Sequence, residues 1–330
     1  MKKILSITLL CVMILSTFSL FSCNTPTRTN SNGYKVALDL TDEWNKISNG
    51  AQLVQGCVVI RKEFAEQNPG AVKAFLDEYK ASIDYTNANP GNAAEYIVKY
   101  GIDSNKEIAS LAIPNCNIAY MDGNEMENSL SAFLSAMYSI APASVGNKLP
   151  DDGFYYNIND SVEKTGASVR IATLNGTTGY GMAKLMEDSS NNSTVNNYTF
   201  NVVSDPTSII ASLANGSIDI GALPTNAASN VYNKTNGKVQ ALAINTLGVL
   251  YVLDKTDSIK SLADLEGKTI YAPAQNPTFI LKYILKANNI NATIDSTSFS
   301  SPNALETAAI NGLVDIAVLP EPKVSNVMNK

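Results

Sequence analysis

Seven short segments of this chain place hydroxyl, amide and carboxyl side chains directly after an apolar run. They are Asn175-Gly176-Thr177-Thr178-Gly179, Ser204-Asp205-Pro206-Thr207, Pro224-Thr225-Asn226, Asn245-Thr246, Gln275-Asn276-Pro277-Thr278, Ser300-Ser301-Pro302-Asn303 and Pro320-Glu321-Pro322. The chemistry such a set can do is recognition. Side-chain oxygens and the unpaired N–H groups of helix starts together hold a small polar molecule at the carboxyl ends of parallel strands. The candidate ligand-binding residues are Asn175, Thr177, Thr178, Thr207, Thr225, Asn226, Asn245, Gln275, Asn276, Thr278, Ser301 and Glu321. Each hydroxyl or amide among them is equally suited to capping the helix that follows. Glu321 has the same two readings: an acid favoured by a helix dipole, or an acceptor for a cationic or N–H-bearing part of a ligand. Asp219 and Asp315 each follow an Asn-Gly pair at a helix-to-strand turn and read as structural.

The rest of the chemistry-bearing residues exclude more than they offer. The chain has no histidine, so imidazole bases and the usual zinc sites are ruled out. No acid pair or metal-ligand spacing is apparent, so no catalytic residue, metal or cofactor is expected. Asn175-Gly-Thr-Thr-Gly lacks the Gly-Lys-Ser/Thr ending of a phosphate loop, and Gly176, Gly179 and Gly181 miss the dinucleotide spacing. Lys and Arg number 24 against 30 Asp and Glu, without a basic cluster, which argues against nucleic acid. Cys57 and Cys116 are the cysteines left to the folded part; a buried thiol and a disulfide are both open for them. Trp44, Tyr180 and Phe279 could stack on a flat ring or fill the core.

Elements that could position these turns follow from the pattern. Val169–Gly176, Tyr198–Ser204 and Ser217–Pro224 each read as a strand leading into a helix, and KTIYAPAQ, STSFS and LVDIAVLP repeat the scheme later. Tyr34–Leu40 and Val54–Ile60 read as buried strands. Residues 61–100 and 125–140 read as helices, the latter with Met126, Leu130, Phe133, Leu134 and Met137 on one face. Gly146–Ala167 reads as a linker. Strands alternating with helices imply mainly parallel α/β sheets. A repeat doubles the scheme: residues 206–234 align without a gap on 302–330, with 12 of the 29 positions identical. The first copy runs on into TNGKVQALAINT; the second ends at Lys330, and its continuation, TNSNGYKVALDLT, stands at residues 29–41. Two related lobes in a rejoined order are expected, and two-lobed clamps hold small molecules between them.

The N-terminus reads as a processing segment, residues 1–22, with Lys2 and Lys3 ahead of an apolar run from Ile4 to Phe21. Leu20-Phe21-Ser22-Cys23 resembles a lipobox, which would place lipid on Cys23 and make residues 23–33 a tether; a plain cleaved signal and a retained anchor are the alternatives. A ten-residue tether reaches at most about 35 Å, keeping the body at an extracytoplasmic membrane surface.

Together the lipoprotein-like start, VRIATLNGTTGYGMAKLME, ANGSIDIGALPTNAAS, LADLEGKTIYAPAQNPTFILKYIL, NGLVDIAVLPEPKVS and RKEFAEQNPGAVKAFLDEYKASIDYTNANP resemble the solute-binding proteins of ABC transporters, in the nitrate, sulfonate, taurine and thiamine-precursor branch. The resemblance covers nearly all of residues 34–330. It implies a type II periplasmic-binding-protein fold, hinge closure on a small polar ligand (an anion or a heterocyclic amine), an ABC permease as partner, and no enzyme activity. The chain departs from the family in order: members begin with the strand that starts here at Val169 and end with the helices found here at 61–140. A circular permutation follows, with crossovers at Gly56–Arg61 and Gly248–Leu253, lobe one at 57–250, and lobe two at 34–56 plus 251–330. A ligand-sensing module and an enzyme on the same fold are the rival functions.

Overall fold

The computed structural model describes residues 33–157 and 161–330; the processing segment and Cys23 lie outside them. Among the described residues, eleven strands form two sheets. The first sheet runs in the order β3 (Ile118–Met121), β7 (Val239–Thr246), β2 (Gly56–Arg61), β6 (Ile220–Pro224), β4 (Ser168–Leu174) and β5 (Asn197–Val203). The second runs β1 (Lys35–Asp39), β8 (Leu250–Asp254), β11 (Ile316–Pro320), β9 (Thr269–Tyr271) and β10 (Thr293–Asp295). The central strands GCVVIR, IGALP, LYVLD and IAVLP are apolar almost throughout because helices cover both faces. The protein is thus the two-sheet α/β fold expected from the alternation of strands and helices.

The two sheets share one plan. In each, a parallel trio (β5-β4-β6 and β10-β9-β11) is followed by an antiparallel strand that arrives from the other sheet (β2 and β8), and then by one more strand (β7 and β1). Gly56 pairs with Pro224 as Leu250 pairs with Pro320. The N–H of Thr225 donates to the Gln55 carbonyl (3.2 Å), and the N–H of Glu321 to the Val249 carbonyl (3.0 Å). At the far ends, Arg61 N–H donates to Asp219 and Lys255 N–H to Asp315, both at 2.9 Å. Strand β1, from the start of the chain, therefore does in the second sheet what β7 does in the first.

Helices α1 (Leu40–Asn45), α2 (Lys62–Gln67), α3 (Pro69–Ala88), α4 (Pro90–Lys99), α5 (Lys106–Ala112) and α6 (Gly123–Ile140) precede β4. They are followed by α7 (Thr177–Tyr180), α8 (Ala183–Ser190), α9 (Pro206–Asn215), α10 (Thr225–Lys234), α11 (Asn276–Ala287), α12 (Pro302–Ile310) and α13 (Lys323–Met328). Helix α6 buries the five apolar residues of its expected face and packs on α10 and β7 of one half and on α11 of the other. Trp44 of α1 completes this bridge, with ring centroids 5.7 Å from Phe133 and 4.9 Å from Tyr283. One apolar cluster consequently runs through residues of both sheets.

Two expectations shift. STSFS, read as a strand, is a turn: β10 ends at Asp295, whose carboxylate takes the N–H groups of Thr297 and Ser298 (2.9 Å each) and so replaces the ladder by a side-chain-closed loop. The linker after Gly146 carries one short 3₁₀ turn, Asp152–Phe154, with Phe154 fully buried beside Tyr155 and Tyr232. Trp44 and Tyr180 are fully buried in the apolar cores, and Phe279 packs half-buried against one of them.

Candidate functional site

The two halves meet at a seam where the turns after β4 and β11 touch. At one point it is closed directly. Gly176, in a positive-φ conformation (+80°, −157°), starts α7 so that the hydroxyl of Thr177 donates to the Glu321 carbonyl across the seam at 2.7 Å. A side chain at Gly179 would collide with the Leu174 carbonyl, so this glycine serves the strand–helix turn itself. Asn245 Nδ2 donates to the Thr178 carbonyl (3.2 Å) and its Oδ1 accepts from the Thr246 hydroxyl (3.1 Å).

The Glu321 carboxylate is 3 % exposed. It accepts the Ser325 N–H (2.9 Å) and contacts the Ser325 hydroxyl (3.0 Å), which ties it to the start of α13. Behind it sits Cys116, whose thiol pKa is driven well up by burial and then by the negative charge of Glu321, against the opposing contact of the Thr177 hydroxyl. Tyr180, buried and donating to Asp103 at 2.6 Å, is raised by burial and then by the charge of Asp103. Cys57 is pushed up to about 12 by burial, partly offset by Thr225. Both thiols are free and buried, so neither is a thiolate at neutral pH.

The structure divides the twelve candidate residues. Thr177, Thr225, Asn226, Asn245, Asn276, Thr278 and Glu321 are buried, and Thr178 is half-buried beside Asn245. Thr278 spends its hydroxyl on the Pro273 carbonyl (2.8 Å) inside its own turn. Asn175, Thr207, Gln275 and Ser301 are exposed. Thr207 is held by Asp205, which caps α9, and Ser301 caps α12 through Ala304 N–H (3.1 Å). For these two the capping reading describes what the side chains touch.

Asp219 is structural, as its position at a helix-to-strand turn implied. Its carboxylate takes Arg170 N–H (3.0 Å), Nε (2.9 Å) and Nη2 (2.6 Å), and Arg61 Nη1 (3.3 Å).

Sequence reasoning missed several seam residues. The Gln55 side chain accepts the Val249 N–H (2.6 Å), and Asn117 Nδ2 donates to the Gly248 carbonyl (2.5 Å) while its carbonyl accepts Leu247 N–H (3.0 Å). Tyr251 donates to the Asn115 carbonyl (2.9 Å). These bonds staple the crossover segments, and only the unusual φ of Asn117 (+42°), invisible in one sequence, marks them. Among the described residues, buried oxygens without a hydrogen-bond partner include those of Thr41, Thr173 and Asn276. No group of three or more metal-ligating side chains occurs among the described residues.

Comparison with known proteins bears on this geometry. Residues 181–329 match the family described as ABC transporter, phosphonate, periplasmic substrate-binding protein. Residues 26–138 match a family described as menaquinone biosynthesis. The matched second half of the chain is therefore similar to ABC-transporter substrate-binding proteins. A solved structure, the alkanesulfonate-binding protein SsuA from Xanthomonas axonopodis pv. citri bound to MOPS, is similar at 17 % identity with a TM-score of 0.32, over 48 % of this chain and 56 % of that one. This chain thus spans little more than half of that protein. No curated protein sequence matches.

Proposed function

We propose that the protein is an extracytoplasmic solute-binding protein that captures a small polar ligand between its two halves and delivers it to an ABC permease. The observation that carries this reading is the junction of two sheets of one plan, where the Thr177 hydroxyl at the turn after β4 donates to the Glu321 carbonyl at the turn after β11. Ligand contacts to both halves would favour the closed arrangement, which is how binding energy becomes a population shift. The substrate-binding match over residues 181–329 supports it. Lipid attachment at Cys23, a two-lobe division at 57–250 against 34–56 plus 251–330, and a permuted chain order within the type II binding-protein family complete the proposal.

Thermal unfolding against a panel of small metabolites tests it. A ligand at 100 times its dissociation constant adds about 2.7 kcal/mol, several degrees in a cooperative melt. A melt that no compound moves sinks the solute-binding reading. The match to a menaquinone-biosynthesis family favours a second reading, an enzyme on this fold. Chemical turnover of any compound that shifts the melt decides for it.

A further inference from the structure

Six Asn-Gly pairs occur in the chain, and such a pair carries its own reagents for a backbone rearrangement. The glycine nitrogen can attack the asparagine side-chain carbonyl, since no Cβ on the glycine hinders the approach. In a folded chain the reaction also needs that N–H to be free, because a hydrogen-bonded N–H releases its proton to solvent only on local opening. Asn32-Gly33 begins outside the described residues. The other five asparagines, Asn49, Asn175, Asn215, Asn236 and Asn311, are all exposed, so access does not separate them. Their glycine N–H groups do. Gly176 donates to the Ile102 carbonyl at 3.0 Å, Gly216 to Leu213 at 3.4 Å, Gly237 to Tyr232 at 3.0 Å and Gly312 to Ala309 at 2.8 Å. The last three lie just past the ends of α9, α10 and α12 and satisfy carbonyls there. Gly50 differs. It lies in the turn Ser48–Ala51, with positive φ at both central residues (Asn49 +51°, Gly50 +92°), closed by Ala51 N–H on the Ser48 carbonyl at 3.0 Å. A turn closed by its fourth residue leaves the N–H of its third unused, and the Gly50 N–H donates to none of the described residues. A Cβ at Gly50 would meet nothing within 4 Å, so solvent and a closing ring both have room.

We propose that Asn49-Gly50 is the site at which the folded protein deamidates, and that the conversion loosens the joint between its halves. The Gly50 nitrogen, deprotonated by hydroxide, forms a bond to Asn49 Cγ; the Cγ–Nδ2 bond breaks and ammonia leaves. Water then opens the five-membered imide at either carbonyl. The product is aspartate or, with the main chain rerouted through the side chain, isoaspartate. The turn that must flex is closed by the bond from Ala51. Its place gives the conversion a consequence. The turn connects α1, in the second half, to β2, the crossover strand of the first sheet. Trp44 Nε1 donates to the Ala51 carbonyl at 2.7 Å, which ties the ring packed against Phe133 and Tyr283 to this turn. Isoaspartate inserts an extra main-chain carbon between the ends of that tie, and either product adds a negative charge. None of this rests on the solute-binding reading.

The protein is incubated at pH 9 and 37 °C, folded and in parallel in urea, then digested and followed by peptide mass spectrometry. In the folded chain, residue 49 is expected to convert about tenfold faster than residues 175, 215, 236 and 311, the factor that one hydrogen bond to the reacting N–H allows. In urea the five rates are expected to converge. A folded residue 49 that converts no faster than the other four, or the same spread of rates in urea, overturns the assignment. Asn49→Gln, whose longer side chain closes the corresponding ring far more slowly, is the control for the joint. After incubation the parent is expected to melt a few degrees lower, while this variant keeps its melting temperature. Equal changes in the two, with residue 49 of the parent converted, overturn the loosening of the joint.

Discussion

Asp254, at the end of β8, is 1 % exposed and accepts the N–H of Thr256, the hydroxyl of Thr256 and the N–H of Ile259, each at 2.8 Å. Burial by itself would raise its pKa, but these donors favour the charged form and hold it below the usual carboxylate range. A carboxyl whose folded pKa is depressed contributes stability above its unfolded pKa, near 4 for Asp, and loses it as pH falls through the folded value. Urea unfolding from pH 7 to pH 3 should therefore show Asp254→Asn less stable by roughly 1–3 kcal/mol at neutral pH, with the gap narrowing into the acid range. A gap that stays constant to pH 3 would contradict the depressed pKa. Residues of this kind were not legible beforehand, because nothing in LYVLDKTDSI tells a surface aspartate from one that closes a turn. Asp219 was legible, since the repeat set it at a helix-to-strand turn in both copies. For Thr207 and Ser301 the sequence favoured capping but left binding open. The choice rests on distances to Asp205 and to Ala304 N–H that no spacing rule supplies.

At the scale of elements, the alternation of apolar runs and helical spacing located most of the strands and helices, because strands buried on both faces need continuous apolar sequence. The miss at STSFS has the opposite cause: a local Asp–Ser–Thr hydrogen-bond set outcompeted the ladder. The start of α11 carries a sharper test. Gln275 adopts a conformation that the first half assigns to Gly176, and a side chain there costs of order 1–3 kcal/mol. Gln275→Gly should raise stability by about 1 kcal/mol after the entropic penalty of glycine, seen as a rise of a few degrees in the melting temperature without ligand. An unchanged or lowered melting temperature would show that the exposed Gln275 side chain makes contacts worth more than the strain.

Over the whole molecule, the broken repeat was the most legible feature, because a gapless match that runs off one end of the chain and resumes at the other leaves few topologies. The bridging role of α6 was not legible: its apolar face predicts burial, but not burial against both halves. The proposed permutation is also testable. Tyr34, just before β1, shares an apolar cluster with Val327 of α13 and donates to the Val314 carbonyl, so the two ends of the described chain meet in one half. The equivalent connection in the first half, from α10 to β7, takes only the few residues between Lys234 and Val239. A chain beginning at residue 161, joined from Lys330 to Gly33 by a linker of three to five residues, about the usual loop length, and ending at residue 157 should keep every strand neighbour. It is expected to fold with the same circular dichroism and a melting temperature within a few degrees of the parent, because the seam, α6 and the cores are untouched by the exchange. Loop-closure cost changes only slowly with length. Failure of this chain to fold, while the parent melts cooperatively, would mean that the segment around residues 157–161 must be continuous, and the permutation proposal would be lost.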